Sequence, residues 1–303
     1  MTMKRIFMHL LAASLMLGTG LLPLASQADT LQRIRDSQRF TIGFVPGYAP
    51  FSDGNEQTAR GYTIELCQQI GERLRVQLDL PELQVRYQPV TIEDMLGAVH
   101  SGRVDILCSP VDETLQRREQ VSFSLPVFIS GLAVIMRRDA PAVLQERVRN
   151  GAAEAAPLWR GNIAQQLDKF TFAVLSSSHS AEWVQQRLRV LGLKSRVVTA
   201  DSSAAGIHMV STGQADAFFD DRVVLLNYVA TEAGGEQLMV PERLFDETAS
   251  ALALGRGDED FRLLVDRSIS GLLGSPQGEA LYQRYFGAPN TATRLLFRLY
   301  PKP

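Results

Sequence analysis

Apolar residues along this chain switch repeatedly between a period of two and a period near 3.6. Phe40, Ile42 and Phe44 alternate with their neighbours, which predicts a strand over Phe40 to Val45. A short helix, Leu31 to Asp36, precedes it. Ile64, Ile70 and Leu74 fall on one face of a helix over Thr63 to Leu74, opened by Gly61-Tyr62. Leu83 to Tyr87 reads as a second strand. Thr91 to His100 reads as a helix with Ile92, Met95, Leu96 and Val99 inward, stopped by Ser101-Gly102, and Val104 to Leu107 as a third strand. A polar, Pro-interrupted loop over Ser109 to Asp112 follows, with Asp112 placed to cap a helix that carries Arg117 and Arg118. Beyond Phe123-Ser124-Leu125-Pro126, the run Phe128 to Met136 has strand character.

The pattern then recurs. Phe170 to Leu175 echoes Phe40 to Val45, and Arg196 to Thr199 echoes Gln88 to Thr91. Ser211 to Phe218 echoes His100 to Leu107. Three echoes in one order predict two lobes of like topology, each an α/β sheet, mainly parallel. Between the copies lies Arg137 to Lys169, expected to be a surface excursion of the second lobe with a helix within Ala142 to Ala155. After the second copy come a helix through Leu225 to Thr231, a strand over Thr248 to Leu254, and amphipathic helices over Phe261 to Leu273 and Gln277 to Tyr285. This tail holds no further βαβ unit, so it is expected to return to the first lobe. The chain would then cross between lobes near Phe128 to Gly131 and near Phe245 to Ser250, making a hinge with a ligand cleft between the lobes.

Composition narrows the partners. Lys4 and Arg5 precede an apolar run, Ile6 to Leu22, and Ser26-Gln27-Ala28 supplies small residues for cleavage, so residues 1–28 read as a secretory signal peptide. Its removal leaves 29 of the 31 basic residues against all 33 acidic ones, moving the formal charge from −2 to −4. That mild acidity, with no basic block, argues against a nucleic-acid partner. About 275 residues remain, enough for two modest cores. Export makes a disulfide between Cys67 and Cys108 possible, the alternative being two buried thiols. Two cysteines and scattered histidines are too few ligands for a zinc site.

Ligands of open α/β sheets bind beyond the carboxyl ends of the strands. The loop after the first strand offers Tyr48 and Phe51, either to cover an apolar group or simply to pack. The loop near Asp112 brings Arg117, a fork for a carboxylate or an exposed helix arginine. Ser176 to Ser180, with Ser178 and His179, opens a helix whose N-terminus suits an anion. Asp220-Asp221 is placed to bind an ammonium or to cap the next helix, and a metal is disfavoured there because no second acidic or histidine cluster accompanies the pair. Together these groups describe a receptor for a zwitterion.

Several segments resemble the periplasmic amino-acid-binding proteins of ABC importers, the family 3 solute-binding proteins. Tyr48-Ala49-Pro50-Phe51 resembles the family's aromatic-x-Pro-Phe, and Gly61 to Leu66 its Gly-aromatic-x-x-Asp-Leu, with Glu65 for the usual Asp. RREQVSFSLP, from Arg117 to Pro126, resembles Arg-(x)5-Phe-Ser-x-Pro. Gly213 to Asp221 resembles Gly-x-x-Asp-Ala-(x)3-Asp, and Gly278 to Gly287 the closing helix. The resemblance implies a two-lobe periplasmic-binding-protein fold of type II with two hinge crossovers. The first lobe would comprise residues 29–130 plus 249–303 and the second residues 131–248. It further implies a monomeric periplasmic protein without cofactor or metal, which captures an amino acid or similar small carboxylate and delivers it to a membrane permease. In that family the positions of Arg117, Asp221 and Tyr48 hold the ligand α-carboxylate, hold its α-ammonium and cover its side chain, while Ser178 and His179 match a loop of carboxylate donors. Four departures stand out. Asp112 replaces a Thr that meets the ligand amine, Pro110 replaces a Gly, Ser177 replaces a Gly, and Val45 stands where members for acidic amino acids carry an arginine. The extra carboxylate leans towards a polar or cationic ligand. The alternative is a periplasmic enzyme on the same fold, resembling cyclohexadienyl dehydratase, for which Glu65, Asp112 and His179 are the available acids and bases.

Overall fold

The computed structural model describes residues 30–150 and 167–302. The signal-peptide reading, and the part of the 137–169 excursion from residue 151 to 166, lie outside them. Element order is α1 (Thr30–Ser37), β1 (Arg39–Phe44), α2 (Tyr62–Leu78), β2 (Gln84–Pro89), α3 (Met95–His100), β3 (Ile106–Asp112), α4 (Leu115–Arg118) and β4 (Ser122–Arg137). There follow α5 (Ala142–Asn150), β5 (Thr171–Leu175), α6 (His179–Leu191), β6 (Arg196–Ala200), α7 (Ser203–Ser211), β7 (Ala217–Asp221) and α8 (Arg222–Thr231). The last elements are β8 (Leu238–Met239), β9 (Asp246–Leu254), α9 (Glu259–Leu273), α10 (Pro276–Phe286) and α11 (Thr291–Leu299). Among the described residues no helix is long and apolar enough to cross a membrane.

The strands form one sheet in the order β2-β1-β3-β9-β4-β7-β5-β6, with β8 beside β4. Each outer part is parallel, β2-β1-β3 on one side and β7-β5-β6 on the other. The mainly parallel expectation needs correction at the centre, where β9 runs antiparallel to both β3 and β4, and β4 antiparallel to β7. Those two central strands are the crossovers. A strand that leaves one lobe and enters the other cannot return in the direction of its neighbours without a further helix.

The echoes in the sequence become equivalent hydrogen bonds. Asp105 accepts from the Thr41 N–H at 2.7 Å, and Asp216 accepts from the Thr171 N–H at 2.8 Å. Gly102 and Gly213, which follow α3 and α7, both hold positive φ, near 71° and 77°, a conformation that glycine adopts without the Cβ penalty.

Two prolines defeat the sequence reading of strand limits. Ser109 to Asp112 is the end of β3 and not a loop, since Pro110 sits where the β3–β9 register shifts between Leu107 and Val111. Pro126 sits likewise at a register shift of β4, which therefore starts at Ser122. An irregular register tolerates a residue that cannot donate to the ladder. The helix cap is also corrected. Thr114, not Asp112, accepts from the Arg117 N–H at 3.2 Å. A final helix, α11, lies beyond the elements expected from the sequence.

Apolar residues pack on both faces of each part of the sheet. Ile34, Phe40, Ile70, Phe261 and Leu264 share one cluster, so α9 covers the same face as α1 and α2. Leu144 and Val148 of α5 pack with Phe172 and Val184 on the other side of the molecule. Cys67 of α2 and Cys108 of β3 form a disulfide, stapling that helix to the sheet.

Candidate ligand site

The carboxyl ends of β1, β3, β5 and β7 converge on one cleft. It is open to the surroundings and, counting that open solvent, holds about 730 Å³. Tyr48, Asp112, Arg117, Ser178, His179, Asp220 and Asp221 all line it, so the structure brings every ligand-site residue expected from the sequence to one place.

Tyr48 stands in the loop after β1, closed by hydrogen bonds between Tyr48 and Ser52. Phe51 supports it from below, with ring centroids 5.5 Å apart, and is itself held against Phe128 at 4.9 Å. Burial, then the charges of Asp220, Asp221 and Asp112, push the Tyr48 phenol well above its ordinary pKa, while Arg117 pulls it down. That ring therefore lies within the field of all four charged groups.

Arg117 and Arg118 have opposite fates. Arg118 pairs with Glu113 on the surface. Arg117 turns into the cleft, donates Nη1 to the Asp112 carbonyl at 2.9 Å, and makes no ion pair among the described residues. Its remaining donors stay available to an anion.

Asp112 ends β3 opposite Ser250 of β9. Its Oδ1 accepts from Thr248 Oγ1 at 2.9 Å and from Ser250 Oγ at 2.8 Å. Asp220 and Asp221 end β7, both nearly inaccessible to solvent. Asp220 accepts from Ser203 Oγ at 2.5 Å and from the Asp221 N–H at 2.8 Å. Asp221 caps α8 by accepting from the Val223 N–H at 2.8 Å, and Ser130 of β4 donates to its other oxygen. Burial, reinforced by neighbouring carboxylates, raises Asp220 to about 7 and Asp221 to about 6. The helix-cap reading of the pair thus holds for Asp221, which also lines the cleft.

The Ser178 hydroxyl caps α6, accepting from the Ala181 N–H at 3.2 Å and donating to the Leu175 carbonyl at 2.7 Å. Its donor is committed to that carbonyl, and Ser178, His179 and Ser180 at the start of α6 line the cleft. His179 Nε2 lies 2.9 Å from Asp246 Oδ2. Ser177, where the family carries Gly, takes φ near 53°, the left-handed conformation that explains the usual glycine. Glu65 is not in the cleft: Arg284 and Tyr285 of α10 hold it.

Sequence reasoning missed Ser130, Asp246, Thr248 and Ser250, which hold the charged groups in place. All four lie on β4 and β9, inside the two crossings it had marked. Their signal was position on a crossover, not residue type. Val45, Ile92, Met95, Leu132 and Leu175 complete an apolar wall. Ile92 packs against apolar residues of both parts of the sheet, and Ser176 donates to Glu93 across the cleft mouth.

Residues 40–288 match the family model of the bacterial extracellular solute-binding proteins, family 3. Over 289 residues the chain is 22% identical to the L-cystine-binding protein TcyJ of Escherichia coli (strain K12), covering 95% of this chain and 97% of the relative. It is 23% identical over 262 residues to the L-glutamate/L-aspartate-binding protein of Pseudomonas aeruginosa, covering 86% and 80%. Its fold is similar to the crystal structure of the ancestral amino acid-binding protein AncCDT-1, a precursor of cyclohexadienyl dehydratase. That likeness has a TM-score of 0.66 and 21% identity, and covers 85% of this chain and 99% of the other. With a two-lobe fold of type II, a cleft at the strand ends and a family match running from β1 to α10, this chain belongs to the family 3 bacterial extracellular solute-binding proteins.

Proposed function

We propose that this protein captures an amino acid between its lobes in the periplasm and hands it, as a monomer and without catalysis, to the permease of an ABC importer. The lobes are residues 29–130 with 249–303, and residues 131–248. One observation carries the reading: Arg117, beyond β3, and Asp221, at the end of β7, line the same cavity from opposite sides of the central strands. A guanidinium and a carboxylate so placed match the two ends of an α-amino acid. A ligand that touches both lobes binds the closed arrangement better than the open one, and that difference in affinity is what drives closure. The names of the L-cystine- and L-glutamate/L-aspartate-binding relatives support the ligand class.

Arg117→Ala tests this directly in a thermal-shift panel of amino acids. Loss of the charged partner of a buried carboxylate costs about 3 kcal/mol, more than a hundredfold in affinity. Ligand-induced stabilisation is therefore expected to vanish at concentrations that saturate the parent, and undiminished stabilisation would contradict the assignment.

A second reading rests on the His179–Asp246 pair inside the cavity, the arrangement of a general base oriented by a carboxylate. An enzyme of this kind would dehydrate a small cyclic carboxylic acid. Turnover of prephenate by the purified protein would establish that reading in place of the first.

A further inference from the structure

Resting on the amino-acid reading, we infer that the cleft selects a ligand of net positive charge, a lysine- or arginine-like amino acid, and that Asp112 sets this preference. The case starts from a census of the charges lining the cavity. Four carboxylates, Asp112, Asp220, Asp221 and Asp246, face one guanidinium, Arg117, and one imidazole, His179. His179 is already hydrogen-bonded to Asp246. Arg117 is balanced by the α-carboxylate of a bound amino acid, and Asp221 by its α-ammonium. Asp220 is turned inward onto Ser203 and the Asp221 N–H. Asp112 is the carboxylate left over.

Its geometry suits a second cation. Thr248 and Ser250, both on β9, donate to the same oxygen, Oδ1, and so fix the carboxylate plane. Oδ2 makes no hydrogen bond or ion pair among the described residues. Arg117 approaches the Asp112 carbonyl, not its carboxylate, so the two charges remain separately usable. The same cavity is lined by Tyr48, Ile92 and Met95, apolar surface that can flank the alkyl stem of a cationic side chain. Among the described residues no three metal-ligating side chains converge, which makes an organic cation the better occupant than a metal ion. An acidic side chain has no cation to meet, because Val45 and the rest of the wall are apolar. A neutral side chain would close the cleft over an unpaired carboxylate, the costly case for a buried charge.

Two ligand pairs test the inference by titration calorimetry: L-arginine against its neutral isostere L-citrulline, and L-lysine against L-norleucine, which lacks the terminal ammonium. The cationic member of each pair is expected to bind at least about tenfold more tightly. Asp112→Asn is expected to bring each ratio to within about threefold, with a ligand-free melting temperature near that of the parent. Should that variant fail to fold, Asp112→Ser serves for the ratio, and the parent ratios already decide the charge preference. Citrulline binding as tightly as arginine, or a ratio unchanged in the variant, would overturn the role given to Asp112 and leave the amino-acid reading standing. Failure of every amino acid to bind would overturn both.

Discussion

Asp221 is asked to do two incompatible things in the ligand-free protein, to cap α8 as an anion and to remain nearly dry. Burial wins enough to raise its pKa to about 6, with Asp112 adding to the rise and the Ser130, Val223 and Gly131 hydrogen bonds opposing it. A carboxylate whose folded pKa exceeds its unfolded value near 3.8 favours the folded state below that value and loses this contribution as pH rises through about 6. The ligand-free protein is thus expected to lose stability between pH 4 and pH 7, by up to about 3 kcal/mol from this group. Asp221→Asn retains a helix cap and should flatten that slope in urea unfolding at a series of pH values. Identical slopes for parent and variant would contradict it. Affinity for an ammonium ligand runs the other way, rising as Asp221 ionises through the same window. At this scale motif spacing chose Arg117 over Arg118, and Arg117 is the one that lines the cleft, whereas Asp220 and Asp221 both line it. The sequence marked Asp112 as an extra carboxylate but gave no sign of Thr248 and Ser250, the hydroxyl partners more than a hundred residues away.

Elements were legible where a period was long and uninterrupted, as in α2 and α9, and misread where proline interrupted it. Pro110 and Pro126 look like loop residues locally, yet both occupy register shifts in the pairing of β3 and β4 with β9. The helix α11 escaped notice because the resemblance ended at Gly287. Its own marks were present: Asn290 caps it by accepting from the Thr293 N–H at 2.8 Å, and Thr293 bonds back to the Tyr282 hydroxyl at 3.0 Å. The junction of α2 to β3 is the element-scale feature most open to test. The Cys67–Cys108 disulfide closes a separation of 41 residues, worth about 4 kcal/mol in lost unfolded-chain entropy and typically somewhat less in practice. Urea unfolding in dithiothreitol is expected to show a loss of roughly 2–4 kcal/mol relative to the oxidised protein. An unchanged midpoint would mean that packing of α2 on the sheet, and not the crosslink, sets the stability of this region.

The whole molecule repeats one βαβ arrangement on either side of two central strands. That repetition was visible as three weak sequence echoes, one of which carries Asp105 and Asp216, each accepting an N–H from a neighbouring strand. The antiparallel centre was not visible, because direction depends on where the chain crosses and not on residue pattern. Ile92 and the Glu93–Ser176 contact are the groups that meet at the mouth of the cleft. The proposed site depends on this layout: Arg117 follows β3 and Asp221 ends β7, on opposite sides of the two central strands. The most direct test is a crystal structure with the amino acid that most raises the melting temperature. Its α-carboxylate is expected on Arg117 and its α-ammonium on Asp221, bridging the two lobes. A ligand held entirely by one lobe, with either residue turned away from it, would contradict the mechanism.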